Sequence, residues 1–139
     1  MKGVRYDALA ELVAQAQEMG KMEPGKGPWN LPVFPVPKKN PGEFRLVQDL
    51  RALNEATLKD GHPLPRIGDM VQRQAKNRVW STLDLVDGFH QMPLKKEHRY
   101  TTCMSTPQGT MQWTVLVMGL KNAAAQFQRM MEWVLADHG

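Results

Sequence analysis

Between Glu23 and Gly42 the chain reads EPGKGPWNLPVFPVPKKNPG, with six prolines and three glycines. Proline fixes φ and has no amide proton to donate, so no long helix crosses this stretch. Nor is it a floppy linker, because Trp29, Leu31, Val33, Phe34 and Val36 call for burial. The pattern predicts an extended, proline-punctuated edge strand, a turn at KNPGE, and a returning strand over residues 44–50. The resulting hairpin carries a basic tip, Lys38 and Lys39.

The flanking segments are more regular. Residues 7–19 predict a short amphipathic helix, with Leu9, Leu12, Val13, Ala16 and Met19 on one face and Gly20 as the stop. Residues 51–58 predict a short helix or turn, HPLPRI an extended crossing segment, and residues 67–74 a helix with Asp69 in its first turn. Another passage begins at Glu97 to Arg99. YTTCMST and MQWTVLV flank PQG as a second hairpin. Asn122 is placed to cap a helix running to about Ala136, with Phe127, Met130, Met131 and Val134 as its apolar face. Mixed strands and helices make the class α+β, as one domain or a piece of a larger one.

Composition narrows the partners. Apolar content of 42% permits a core, and the ten methionines read as soft filler for it. The mean hydropathy is −0.47. No apolar run approaches the roughly 20 residues of a membrane span, and the polar N-terminus shows no secretory signal. A single cysteine, Cys103, rules out an internal disulfide framework and fits an intracellular, reducing compartment such as cytoplasm or nucleus. The formal charge of +4 permits a nucleic-acid or nucleotide partner without demanding one.

Chemistry concentrates in WSTLDLVDGFHQMPL, residues 80–94. Residues 79–86 predict a buried strand, with Trp80, Thr82, Asp84 and Val86 on one face. A lone buried carboxylate is costly, so Asp84 needs either a basic partner or a cation. A carboxylate at a strand end beside the Gly88 turn suits magnesium shared with phosphate oxygens. Phe89 would wall the approach. Asp84, Asp87 and His90 would align only on a helix, so no transition-metal site is expected, and His90 reads as a hydrogen-bonding turn residue.

LDLVDGFHQMPL resembles the first catalytic motif of reverse transcriptases, in particular those of gypsy-type long-terminal-repeat retrotransposons. GKGPWNLPVFPVPKK resembles that family's lead into the fingers subdomain, and FRLVQDLRALNEAT its fingers strand and following turn. HPLPRIGDM resembles the passage from fingers to palm, and VMGLKNAAAQFQRMMEWVL the next motif and palm helix. The pieces stand in the family's order over residues 9–135.

The resemblance implies a division into an N-terminal helix (1–20), fingers (21–78) and partial palm (79–139), with a second hairpin in the 110–118 region and a palm helix at 122–136. It makes Asp84 the catalytic metal-binding aspartate and the Leu85 carbonyl a second metal contact. The Asp87–Gly88 main chain would meet the triphosphate, and Phe89 would be the aromatic gate beneath a deoxyribose. Arg45, with Lys38 or Lys39, would close over the phosphates. Met118 would border the nucleotide, while Lys121 and Gln126 would touch template or primer. Arg51 and Asn54 match family positions but read as structural turn residues.

Departures from the family pattern are Val117 and Met118 ahead of Gly119, and NAA at 122–124. The family's next motif, an aromatic residue, any residue and two aspartates, does not occur in this sequence. The chain is thus expected to be a fragment, lacking the C-terminal palm, thumb and ribonuclease H regions of a polyprotein. It is expected to be marginally stable and inactive alone. The complete enzyme would use magnesium, with manganese as a substitute, deoxynucleoside triphosphates, and an RNA or DNA template-primer, without a membrane. The alternative is a non-catalytic nucleic-acid-binding remnant of such a polymerase.

Overall fold

The structure, a computed structural model, describes residues 3–136. The N-terminal helix runs Val4–Glu18 (α1), and Gly20 ends it at φ 74°, where a Cβ would be strained. Val13 is fully buried, with Leu9 and Ala16 packed alongside. Met19, expected on that face, instead lies past the helix end and is exposed.

Strand β1 (Met22–Pro24) follows, then the antiparallel hairpin β2 (Val33–Pro37) and β3 (Phe44–Gln48). Pro35 and Pro37 are tolerated because β2 has a single strand neighbour. Gly42, at φ 83°, turns the tip. Phe34 departs from expectation and is exposed, since a two-stranded ribbon leaves part of its surface uncovered.

The second hairpin forms around PQG from β4 (Met104–Thr106) and β5 (Gly109–Trp113). Strand β5 also pairs with β1, giving the order β1-β5-β4. The core gathers between α1 and the two sheets, around Met22, Leu31, Leu50, Met104, Met111 and Trp113. Gln48 ties the sheets together: its Nε2 donates to the Thr102 carbonyl and its Oε1 accepts from Trp113 Nε1, each at 2.9 Å. Methionines are core filler at 22, 104 and 111, but Met19, Met70 and Met118 are exposed.

Three more helices complete the order: α2 (Arg51–Ala56), α3 (Ile67–Gln74) and α4 (Ala123–Leu135). Short 3-10 turns occupy Gly88–Gln91 and Lys96–Thr102. Asn122 takes the N-cap position of α4, but its side chain makes no capping bond. It reaches instead to the loop before α3, donating to the Leu58 carbonyl and accepting from the Asp60 amide.

Residues 79–86 correct the expectation of a buried strand. They form no strand, and Val79, Trp80, Leu83 and Val86 are all exposed. A strand is completed by its neighbours' hydrogen bonds, and the five strands among the described residues pair only with one another. No helix among the described residues is long and apolar enough to cross a membrane.

Candidate active site

The segment 79–88 and helix α4 enclose an open cleft of about 900 Å³. Asp84, Leu85, Gly88, Phe89, Met118 and Phe127 line it. Asp84 is exposed rather than buried, and its carboxylate has no ion-pair partner among the described residues. The ion-pair alternative therefore has no cation to supply it among the described residues.

The turn beyond is tightly specified. Asp87 adopts φ 47°, the one non-glycine residue in the left-handed region among those described. Gln91 Nε2 donates to the Val86 carbonyl at 2.8 Å and closes the loop. A Cβ on Gly88 would sit 3.2 Å from Phe127 Cζ, so glycine here lets α4 approach. Phe89 and Phe127 meet edge to face, with ring centroids 5.2 Å apart, which holds Phe89 against α4.

One side chain of this turn has a partner the sequence did not indicate, and another departs from expectation. Asp87 is paired with Lys21 at 2.7 Å, and that hydrogen bond and charge hold its carboxyl below the usual range. His90 is not a hydrogen-bonding residue through Nδ1, which is buried without a partner among the described residues. Its ring lies against Trp113, with centroids 5.6 Å apart. Burial lowers its pKa, Lys21 adds to that effect, and Asp87 opposes it.

The basic residues of the first hairpin form a separate group. Lys38, Lys39 and Arg45 line a shallow hollow of about 530 Å³, which shares no residue with the Asp84 cleft. Strand pairing sets Arg45 opposite Val36, one step from the tip. Lys38 lies 3.7 Å from Glu43, whereas Lys39 has no ion-pair partner among the described residues.

Lys121 and Gln126 are both engaged within the chain. Lys121 Nζ donates to the carbonyls of Asn54 and Thr57, and Gln126 Nε2 donates to Asp60. Asn54 reads as structural, as expected: it donates to the Gly119 carbonyl and accepts from the Lys121 amide, each at 2.8 Å. Arg51 likewise clasps Asp49, whose pKa falls to about 2 through hydrogen bonds from the Arg51 side chain and amide.

A polar seam was missed from sequence. Asn122, Gln126, Arg129 and Glu132 face the loop 58–62, meeting Asp60 and His62. Their spacing of four, three and three on α4 was a readable signal for one helix face. Lys21 was missed as well, and its separation from Asp87 left no local signal.

These features define an α+β domain with a free carboxylate in an open cleft beside a tight turn, and a separate basic hairpin. Its family follows from sequence: a model of the reverse transcriptase (RNA-dependent DNA polymerase) family matches residues 36–138, and the chain belongs to that family. It is 39% identical to the retrovirus-related Pol polyprotein from transposon 412 of Drosophila melanogaster, over 91% of this chain and 11% of that protein. It is 36% identical to the corresponding polyprotein of transposon gypsy from the same organism, over 94% of this chain and 13% of that protein. Against the Gag-Pro-Pol polyprotein of human T-cell leukemia virus 2 the identity is 39%, over 94% of this chain and 9% of that protein. The chain therefore spans about a tenth of the length of these relatives. Among solved structures, a foamy viral protease-reverse transcriptase in complex with double-stranded DNA matches with a TM-score of 0.76 at 26% identity. That match covers 99% of this chain and 23% of the viral chain.

Proposed function

We propose that this chain forms the fingers (21–78) and part of the palm (79–139) of an RNA-directed DNA polymerase, and that the Asp84 cleft receives a deoxynucleoside triphosphate. The observation that carries this reading is a solvent-facing carboxylate, without an ion-pair partner among the described residues, in one cleft with a glycine turn and a braced aromatic ring. A nucleic-acid-binding remnant would account for the basic hairpin but would leave Asp84 without a role.

The residues present fit one corner of a divalent-metal site. No group of three or more His, Cys, Asp or Glu side chains among the described residues could hold an ion. Asp84 and the Leu85 carbonyl would therefore share a magnesium ion with the phosphates of the nucleotide itself. When bound, magnesium or manganese neutralises the crowded phosphate charge and stabilises the leaving pyrophosphate.

The chain's own residues then bind and orient. The Asp87–Gly88 main chain meets the phosphates. Phe89, held by Phe127, stacks beneath the sugar and leaves no space for a 2′-hydroxyl. Met118 covers the nucleotide with an apolar surface. Arg45 grips phosphate oxygens through its planar fork. Lys39, which among the described residues lacks the carboxylate neighbour that Lys38 has, is the lysine we assign to the terminal phosphate. In the complete polymerase a primer 3′-hydroxyl, set by an RNA or DNA template, attacks the α-phosphate. Lys121 and Gln126 would border that template-primer through the loop they brace.

The 139-residue chain alone is expected not to extend a primer, because a two-ion site needs more carboxylates than Asp84, the one acidic residue lining the cleft without an ion pair among the described residues. The nucleotide-binding reading is tested by titrating Mn²⁺ with deoxythymidine triphosphate into the isotope-labelled chain. Paramagnetic broadening should centre on residues 84–89 and be lost in Asp84→Asn. Broadening that ignores this substitution, or centres elsewhere, would overturn the reading.

A further inference from the structure

Asp87 poses a problem for any phosphate-binding turn. On the nucleotide-binding reading a polyanion approaches its backbone, which is held at φ 47°, yet its side chain carries a negative charge of its own. Unopposed, that charge would repel phosphate oxygens at close range. The structure answers with Lys21, which lies far away in sequence and contacts the Asp87 carboxylate at 2.7 Å.

Lys21 is well placed to hold that position. Its amide donates to the Ala16 carbonyl at 2.8 Å, and its carbonyl accepts from the Thr114 amide at 2.9 Å. Thr114 Oγ1 also donates to the neighbouring Gly20 carbonyl at 2.6 Å. The lysine stem is thus rooted where α1 meets β1 and β5. Its side chain is only 17% exposed, whereas that of Asp87 is 55% exposed. A fixed cation therefore meets a carboxylate at the rim of the cleft. Asp84, a short distance along the same segment, has no such partner among the described residues.

We infer that Lys21 is a specificity-determining residue that offsets the Asp87 charge, so that the Asp87–Gly88 turn accepts a phosphate chain while the Asp84 carboxylate is left open to a cation. This inference rests on the nucleotide-binding reading of the same cleft, and it deepens that reading by assigning the electrostatics of the turn. Lys21 acts through Asp87 and touches no phosphate itself. Methionine at position 21 keeps the stem's length and the backbone hydrogen bonds, so Lys21→Met removes chiefly the charge. At position 87, asparagine tolerates the left-handed backbone and removes the opposing charge.

The test uses the intact 139-residue chain and inorganic tripolyphosphate without metal, followed through the Gly88 amide resonance. Saturable movement of that resonance is expected in the unsubstituted chain. Lys21→Met should weaken binding by roughly ten-fold, the scale of one uncompensated charge facing several phosphate charges nearby. Lys21→Met/Asp87→Asn should bind more tightly than Lys21→Met alone. An unmoved Gly88 amide, unchanged affinity in Lys21→Met, or a double variant no tighter than the single one would each overturn the inference. The double variant also separates neutralisation from direct phosphate contact by Lys21, which removing the Asp87 charge would not repair. Asp84→Asn distinguishes the two levels: it should abolish manganese broadening yet leave the tripolyphosphate response. If both Asp84→Asn and the unsubstituted chain broaden alike, the metal reading falls while the Lys21 result stands on its own.

Discussion

Asp84 and His90 sit on the same short stretch, both line the cleft, and they differ in burial. Asp84 projects into an open cleft, whereas His90 is turned inward against Trp113. Burial favours neutral His90 and lowers its folded pKa below the ordinary 6.5. The unfolded chain then binds the proton more readily, so this contribution is complete above about pH 6.5. It is lost as pH falls through 6.5 toward the folded value. The melting temperature should decline between pH 7 and pH 5, and His90→Phe should flatten that decline; an unchanged slope would contradict this assignment. Phe89 carries a second prediction at this scale. In a complete polymerase containing this segment, Phe89→Ala should admit ribonucleotides, measured as a fall of at least about ten-fold in sugar discrimination, on the scale of 1–2 kcal/mol of lost steric selection. Asp84 stood out in the sequence because nothing in an apolar run explains a carboxylate. Its exposure was not legible, because burial depends on neighbours that no local pattern encodes. Lys21 was invisible for the same reason.

The elements read best where their signals are local. Helix α1 has its stop glycine and hairpin β2-β3 its prolines and turn, and both formed close to where sequence placed them. The run at 79–86 has strand composition but no strand beside it among the described residues, so it lies exposed outside both sheets. Helix α4 shows the complementary lesson. Asn122 marks its start, yet long-range bonds to Leu58 and Asp60 replace the expected cap. The turn at Gly119 depends on α2 in the same way. Asn54→Ala removes two hydrogen bonds at 2.8 Å from that turn and should cost about 1–2 kcal/mol. Faster hydrogen exchange at the Lys121 amide would accompany that loss, and unaltered exchange would contradict the role given to Asn54. Gly88→Ala should likewise push against Phe127 and destabilise the chain by about 1 kcal/mol, measured by denaturant titration.

At the scale of the molecule, order and exposure divide the chain. One core joins α1, the two sheets and α2, whereas residues 63–87 are exposed throughout. Helix α3 is amphipathic but buries none of its residues, leaving Ile67 79% and Val71 63% exposed. Few buried contacts make such a segment the first to open. Trypsin should therefore cut first after Arg66, Arg73, Lys76 or Arg78, seen by mass spectrometry of early fragments. First cleavage within the core strands would contradict this. The overall class and most helices and hairpins were legible because their signals were local, but the run at 79–86 formed no strand, and the pairing of β1 with β5 joined distant segments that no periodicity links.

The most direct measurement is a crystal structure of this chain grown with magnesium and a deoxynucleoside triphosphate. The expected result places the ion on Asp84 and the Leu85 carbonyl, the phosphates along Asp87 and Gly88, and the sugar over Phe89. A nucleotide bound at the hairpin tip alone, with Asp84 facing solvent and no ion beside it, would contradict the assignment of this cleft.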